Sequence, residues 1–178
     1  MTEMTDEELM LRVAREDDDA ALVTLMEKYR GALVNHFFRR GVYHECEDLA
    51  QETFVRLFKA RRRYRVSALF RTYLYHIAQH VWIDHWRKRQ RRDRRHAAFA
   101  EEPRSQSTDP HPGKQDVDWA LAKLPETHRR VVVYSVFDQL PHAEIAALLG
   151  IPVGTVKSRL HSALRDVRNL LESDGAPS

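Results

Sequence analysis

The chain reads as all-α, arranged as two small helical domains joined by a flexible linker. Three observations predict this. Strong helix formers (Ala, Leu, Arg, Glu) dominate, while Gly and Pro number 6 and 7 in 178 residues. Apolar residues recur at helical spacing over two long stretches. Between them, His96–Gln115 carries Pro103, Pro110, Pro112 and Gly113 among Ser, Thr and Gln, with almost no large apolar side chain, which is linker composition. The implied boundaries are 1–95, a linker over 96–115, a second domain over 116–172 and a tail at 173–178.

Thr5 followed by Glu8 reads as a capping box that opens a first helix with acids in its first turn. Asp17–Asp19 breaks that helix and caps a second, in which Leu22, Leu25, Met26, Tyr29, Leu33 and Phe37 recur at helical spacing and Gly41 is the stop. A third helix starts near Glu45 with the stripe Ala50, Phe54, Leu57 and Phe58. A fourth runs from about Ala68 into the Arg87 region, with Phe70, Leu74, Ile77, Ala78 and Val81 on one side. Stripes of this kind bury against each other as one bundle. In the second domain Leu124-Pro125 ends a short helix and starts another that carries Val131, Val132, Tyr134, Ser135 and Phe137. Pro141 opens the next, with Ile145, Ala146, Leu148 and Leu149, closed by Gly150. After the turn Ile151–Gly154, a last helix puts Val156, Leu160, Ala163, Leu164, Val167 and Leu171 inward. The second domain is thereby a helix-turn-helix domain.

Composition excludes several classes of function. The net charge is only +3, yet the opening stretch is acidic and Lys59–Arg65 and Arg87–Arg95 are strongly basic, the latter with seven cations in nine residues. The single cysteine, Cys46, leaves no internal disulfide and fits a reducing, cytoplasmic setting. No apolar run is long enough for a membrane span, and the acidic start does not read as a secretory signal. No Gly-rich phosphate loop, nucleophile elbow or paired catalytic carboxylate motif is present, so neither an enzyme nor a cofactor is expected.

Two segments carry chemistry. On the last helix Ser158, His161, Ser162 and Arg165 share one polar face, flanked by Lys157 and Arg159, and no acid interrupts it before Asp166. A helix in the major groove needs this mixture of base-edge donors and phosphate-binding cations; a solvated outer face is the alternative. On the fourth helix Tyr75, Gln79, Trp82 and Trp86 share a face that leads into the Arg87–Arg95 run. Aromatics beside cations suit single-stranded nucleic acid, which stacks on rings while cations follow its backbone; core aromatics ahead of a solvated helix end are the alternative. His76, His80 and Asp84 stand four apart, a spacing that can chelate a metal, but no HExxH or second ExxH motif accompanies them and no metal site is expected.

Glu47–Phe58 resembles the core-polymerase-binding helix of extracytoplasmic-function (ECF) sigma factors of bacterial RNA polymerase. Phe70–Ala78 and Asp84–Arg89 resemble their promoter-melting and minus-10 helix. Leu124-Pro125, Glu144–Ala146 and Gly154–Leu160 resemble their minus-35 domain. The resemblance covers nearly the whole chain, in the family's order. It implies region 2 and region 4 domains, core RNA polymerase and promoter DNA as partners, and an anti-sigma factor as the usual regulator. It implies a core-polymerase contact by Asp48, Gln51, Glu52, Phe54, Val55 and Leu57. It implies minus-10 contacts by Arg65, Ser67, Tyr73, Tyr75, His76, Gln79, His80, Ile83 and Arg87, with a flipped base captured by the loop Arg61–Phe70. It implies minus-35 contacts by Lys157, Ser158, Arg159, His161, Ser162 and Arg165. An extended linker of roughly 65 Å approaches the length of two turns of duplex.

The chain departs from the family pattern in four places. His80 stands where many members carry Asn, Val66 replaces a common Gly in the capture loop, and Pro152 supplies no capping oxygen. Cys46 interrupts the acidic run before the polymerase-binding helix. Two rival readings are a dimeric helix-turn-helix repressor, which leaves the aromatic-basic helix without a task, and a non-DNA adaptor such as an anti-sigma factor, in which the Lys157–Arg165 face is silent to mutation. Ser67, set among Arg61–Arg65, is a candidate phosphorylation site or else a helix cap; unchanged promoter output from Ser67→Ala and Ser67→Asp rules out the former.

Overall fold

The computed structural model describes residues 4–99 and 116–173. Helix α1 (Asp6–Glu16) opens with the expected capping box: Thr5 Oγ1 accepts from the Glu8 amide at 3.2 Å and Glu8 accepts from the Thr5 amide at 2.8 Å. Asp17 terminates α1 in the left-handed region (φ 51°), and the Asp18 carboxylate caps α2 (Asp19–Arg39) by accepting from the Ala21 amide at 3.0 Å. Gly41 turns the chain with φ 86°, where a Cβ would be strained. Helix α3 (Cys46–Ala60) runs into a 3-10 turn at Arg61–Arg63, and α4 spans Phe70–Phe99. That helix extends beyond its expected end near Arg87, because Arg, Gln and Ala sustain a helix without tertiary support. The first N–H of α4, on Phe70, donates to Glu7 of α1 at 2.7 Å. Ser67 is therefore not its cap; it is exposed in the preceding loop.

The second half holds α5 (Val117–Lys123), α6 (Glu126–Val132), α7 (His142–Leu149) and α8 (Val153–Ser173). Pro125 and Pro141 precede α6 and α7, and Gly150 ends α7 at φ 63°. The Pro152 carbonyl accepts the amides of Thr155 and Val156, so α8 starts at the residue after the proline. Val133–Phe137 forms a π-helical turn that the apolar periodicity does not announce. There the Asp138 amide reaches back five residues to the Val133 carbonyl at 2.9 Å.

α1, α2, α3 and α4 bury Met10, Leu25, Leu33, Phe37, Leu57, Phe70 and Leu74 in one core. Phe58, expected inward, is 36% exposed, with the Arg61 guanidinium 3.9 Å over its ring. Leu164, also expected inward, is 44% exposed. A smaller core of Leu121, Leu124, Val132 and Ala163 lies within the second half. The first core does not stop at the boundary: Val131, Tyr134, Leu140, Ile145, Ala146 and Val156 belong to it. The two halves thus share a buried seam, which periodicity cannot announce because it marks an apolar face without saying what covers it. Among the described residues no helix is long and apolar enough to cross a membrane.

Candidate nucleic-acid interface

The α7–turn–α8 geometry buries Val156 and Ala163 and turns Lys157, Ser158, His161 and Arg165 outward. Arg159 and Ser162 are half-buried at the margin of this face. Ser158 Oγ donates to the Thr155 carbonyl at 3.1 Å, so its lone pairs stay free. Arg159 Nη1 is buried with no hydrogen-bond partner, and nearby Arg130 has its own Nε in the same state. Burial, reinforced by Arg40 and Arg159, weakens Arg130's hold on its proton. This is a cation surplus suited to an anionic ligand.

The second site is the loop before α4. Arg61 Nε donates to Asp17 at 2.8 Å and Arg62 also pairs with Asp17, which tethers the loop to the left-handed turn after α1. Beside it lies a cavity of about 370 Å³ lined by Leu11, Ala14, Arg15, Arg62, Tyr64 and Arg65, among others. Arg65 and Ser67 are exposed, and so are Val66 and Leu69 at 56% and 55%. Along α4, His80 and Arg87 are exposed, while Tyr73, His76 and Ile83 are half-buried. Trp82 and Trp86 stack with centroids 6.4 Å apart, and Trp86 is 46% exposed.

Tyr75 and Gln79 lie in the interior, 1% and 7% exposed. Tyr75 packs against His36, and Gln79 Oε1 accepts from the Tyr134 hydroxyl at 2.7 Å and from Arg40 at 3.1 Å. Part of the sequence-expected minus-10 set is therefore covered by the second half. The His76–His80–Asp84 row does not converge: Asp84 is bound by Arg56 at 2.7 Å, and among the described residues no three His, Cys, Asp or Glu side chains are placed to share a metal.

On α3, Asp48, Gln51 and Val55 are exposed, whereas Phe54 and Leu57 are core residues. Between α2 and α3 runs a groove of about 430 Å³ lined by Val23, Met26, Glu27, Arg30, Gln51 and Phe54 with their neighbours. Glu52 accepts from Arg56 at 2.7 Å, and Arg56 bridges on to Asp84, so α3 is braced against α4.

The residues that sequence reasoning missed sit in the seam. His36 faces Asp138 at 2.6 Å, Arg39 faces Asp118 at 2.9 Å, and Arg40 faces Glu126 at 2.9 Å. The Arg40 side chain is 0% exposed, sandwiched 4.2 Å over the Trp82 ring. A usable sequence signal was small: two arginines and a histidine at one end of an otherwise apolar-striped helix.

Two family models match the chain: "Sigma-70 region 2" over residues 25–92 and "Sigma-70, region 4" over residues 114–167. The ECF RNA polymerase sigma factor SigF of Caulobacter vibrioides is 33% identical, the match covering 91% of this chain and 94% of the relative. ECF RNA polymerase sigma factor SigW of Bacillus subtilis is 29% identical, over 90% and 94% of the two chains. The fold is similar to that of CnrH, solved in complex with the cytosolic domain of CnrY, with a TM-score of 0.70, 24% identity and coverage of 96% and 99%.

Proposed function

Because the chain belongs to the extracytoplasmic-function class of bacterial RNA polymerase sigma factors, we propose a division of labour among its surfaces. Members of the class bind core polymerase and direct it to promoters, and are not enzymes in their own right. The proposed core-polymerase surface is the exposed side of α3, with Asp48, Gln51 and Val55 beside the α2–α3 groove. Its mixed charge and apolar character suits docking to another charged helical surface. The proposed minus-35 reader is α8, through Lys157, Ser158, His161 and Arg165, with Arg159 and Ser162 at the margin. The proposed minus-10 reader is the Arg61–Phe70 loop with the outward side of α4, where Arg65, Ser67, His80, Trp86 and Arg87 are accessible. The cavity beside Tyr64 and Arg65 is the natural place for a base turned out of the stack.

The division into a 1–95 unit, a 96–115 linker and a 116–172 unit belongs to this proposal. Two weak readers on one chain reach useful affinity through effective concentration. CnrH is held by the cytosolic domain of CnrY, and by likeness an anti-sigma partner is proposed here too.

The observation that carries the reading is the α8 face: cations and donors outward, Asp166 the one acid beside them at 3.7 Å from Arg165 Nε, and Val156 and Ala163 buried behind. The test is in-vitro transcription from a library of genomic promoter fragments with purified core polymerase. Transcripts should need both components, and Lys157→Ala/Arg165→Ala should lower them roughly ten- to hundredfold, the size of one or two lost base or phosphate contacts. A protein that yields no transcript but shifts duplex DNA as a dimer is a repressor instead.

A further inference from the structure

Three side-chain pairs across the seam share one arrangement. The nitrogen-bearing member of each lies at the C-terminal end of α2 (His36, Arg39 and the capping residue Arg40) and the acid lies on the second half (Asp138, Asp118, Glu126). Arg40 does not merely touch Glu126. Its Nε and Nη2 both donate to Glu126 Oε1, at 3.2 and 2.9 Å, while Nη1 reaches Gln79 and Tyr134. Arg39 lies 3.9 Å over the Phe137 ring as well as beside Asp118. If the halves part, the acids and Phe137 leave together, whereas Arg40 keeps its place on Trp82 beside Gln79. Uncovered in this way, the guanidinium has Nε and Nη2 free to donate to another anion. A carboxylate oxygen and a phosphodiester oxygen can each accept a pair of guanidinium N–H groups, as Glu126 Oε1 does here while Oε2 accepts from Arg129.

We propose that the end of α2, formed by Arg39 and Arg40 with His36 beside them, binds the sugar-phosphate backbone of the promoter strand that runs along α4, and that Asp118, Glu126 and Asp138 occupy this site as phosphate mimics in the closed molecule. The inference rests on the promoter-binding reading and adds a site that reading does not contain. It also makes the closed form self-blocking, since the same acids hold the second half over Tyr75 and Gln79.

A pair that serves only as a latch loosens equally from whichever side it is cut. A pair whose cation also binds DNA responds with opposite signs. The experiment measures binding of the full-length chain to a fluorescent 30-nucleotide oligothymidylate across a salt series. Backbone contacts are independent of sequence, so no promoter need be known. Asp118→Asn/Glu126→Gln/Asp138→Asn should bind on the order of tenfold tighter than the unaltered chain at low salt. Adding Arg39→Gln/Arg40→Gln to that variant should abolish the gain. It should also make the slope of log K against log salt shallower by about 1.4, for two lost phosphate contacts. Glu16→Gln/Glu27→Gln/Glu172→Gln, the same charge change on exposed side chains, controls for net charge. Circular dichroism checks that each variant is folded, and Arg39→Gln alone, on a side chain already 21% exposed, serves if Arg40→Gln is not.

Equal affinity and slope with and without the two arginines would overturn the inference, as would an equal gain from the charge control. Absence of oligonucleotide binding by the unaltered and acid-substituted chains alike would instead defeat the promoter-binding reading itself.

Discussion

Cys46 shows how burial decides the chemistry of one side chain. The thiol is 6% exposed, donates to the Val42 carbonyl at 2.5 Å, and is pushed up to about 11 by burial, with Glu47 and Glu45 adding to the effect. Only the thiolate reacts, and near pH 8 about a thousandth of such a group is ionised. Ellman's reagent should therefore label the folded chain at least a hundredfold more slowly than the chain in guanidinium; labelling at the unfolded rate would mean that α3 frays at its first turn. Nothing in the local sequence announces this, because the neighbouring acids suggest an exposed position. Tyr64 is a parallel case: burial, helped by the charge on Glu7, raises its hydroxyl to about 12.

At the scale of the element, local signals were reliable where the partner is within a few residues. The Thr5–Glu8 box, the Asp18 cap and the Gly150 stop are all present. Thr5→Ala should cost about 1 kcal/mol, and Gly150→Ala a similar ~1 kcal/mol for placing a Cβ at positive φ, both read from urea midpoints. The α4 histidines give a pH dependence. Burial lowers the proton affinity of His76 and of His85 below the ordinary value of 6.5, and outweighs the opposing effects of Glu144 and Glu45. The unfolded chain then takes up protons first, so the stability contributed by these groups is intact above the ordinary histidine range. It is lost as pH falls through that range and levels off below the lowered values. The melting temperature should fall between pH 7.5 and 5.5, and His76→Gln/His85→Gln should flatten that fall. An unchanged slope in the double variant would place the titrating groups elsewhere.

At the scale of the molecule the seam dominates. Arg40 and His36 are 0% exposed in their side chains and Asp138 is 3% exposed, so salt screens these pairs poorly. The radius of gyration from X-ray scattering should stay constant from 0.1 to 0.5 M salt, whereas Glu126→Gln/Asp138→Asn should expand the chain at every salt concentration, because removing one partner strands a buried charge. Expansion of the unaltered chain with salt would mean that exposed pairs hold the halves together. The Arg56 bridge also links the proposed polymerase and DNA faces, through Glu52 one turn back on α3 and Asp84 on α4, but on partly exposed side chains.

The helices, their caps and the polar face of α8 could be read from the chain alone, since each depends on spacing and chemistry within one or two turns. The polymerase-binding, minus-10 and minus-35 assignments came from resemblance to a family, motif by motif. Tertiary structure alone decided which residues of those motifs reach the surface. Tyr75, Gln79, Phe54 and Leu57 share their motifs with exposed neighbours yet are buried. Tertiary structure alone also paired His36 with Asp138 and Arg40 with Glu126, 102 and 86 residues apart. Periodicity marks apolar faces, and a buried polar residue disturbs it as a surface residue does. Whether Arg40 meets water, a carboxylate or a phosphate depends on what the rest of the chain packs against it.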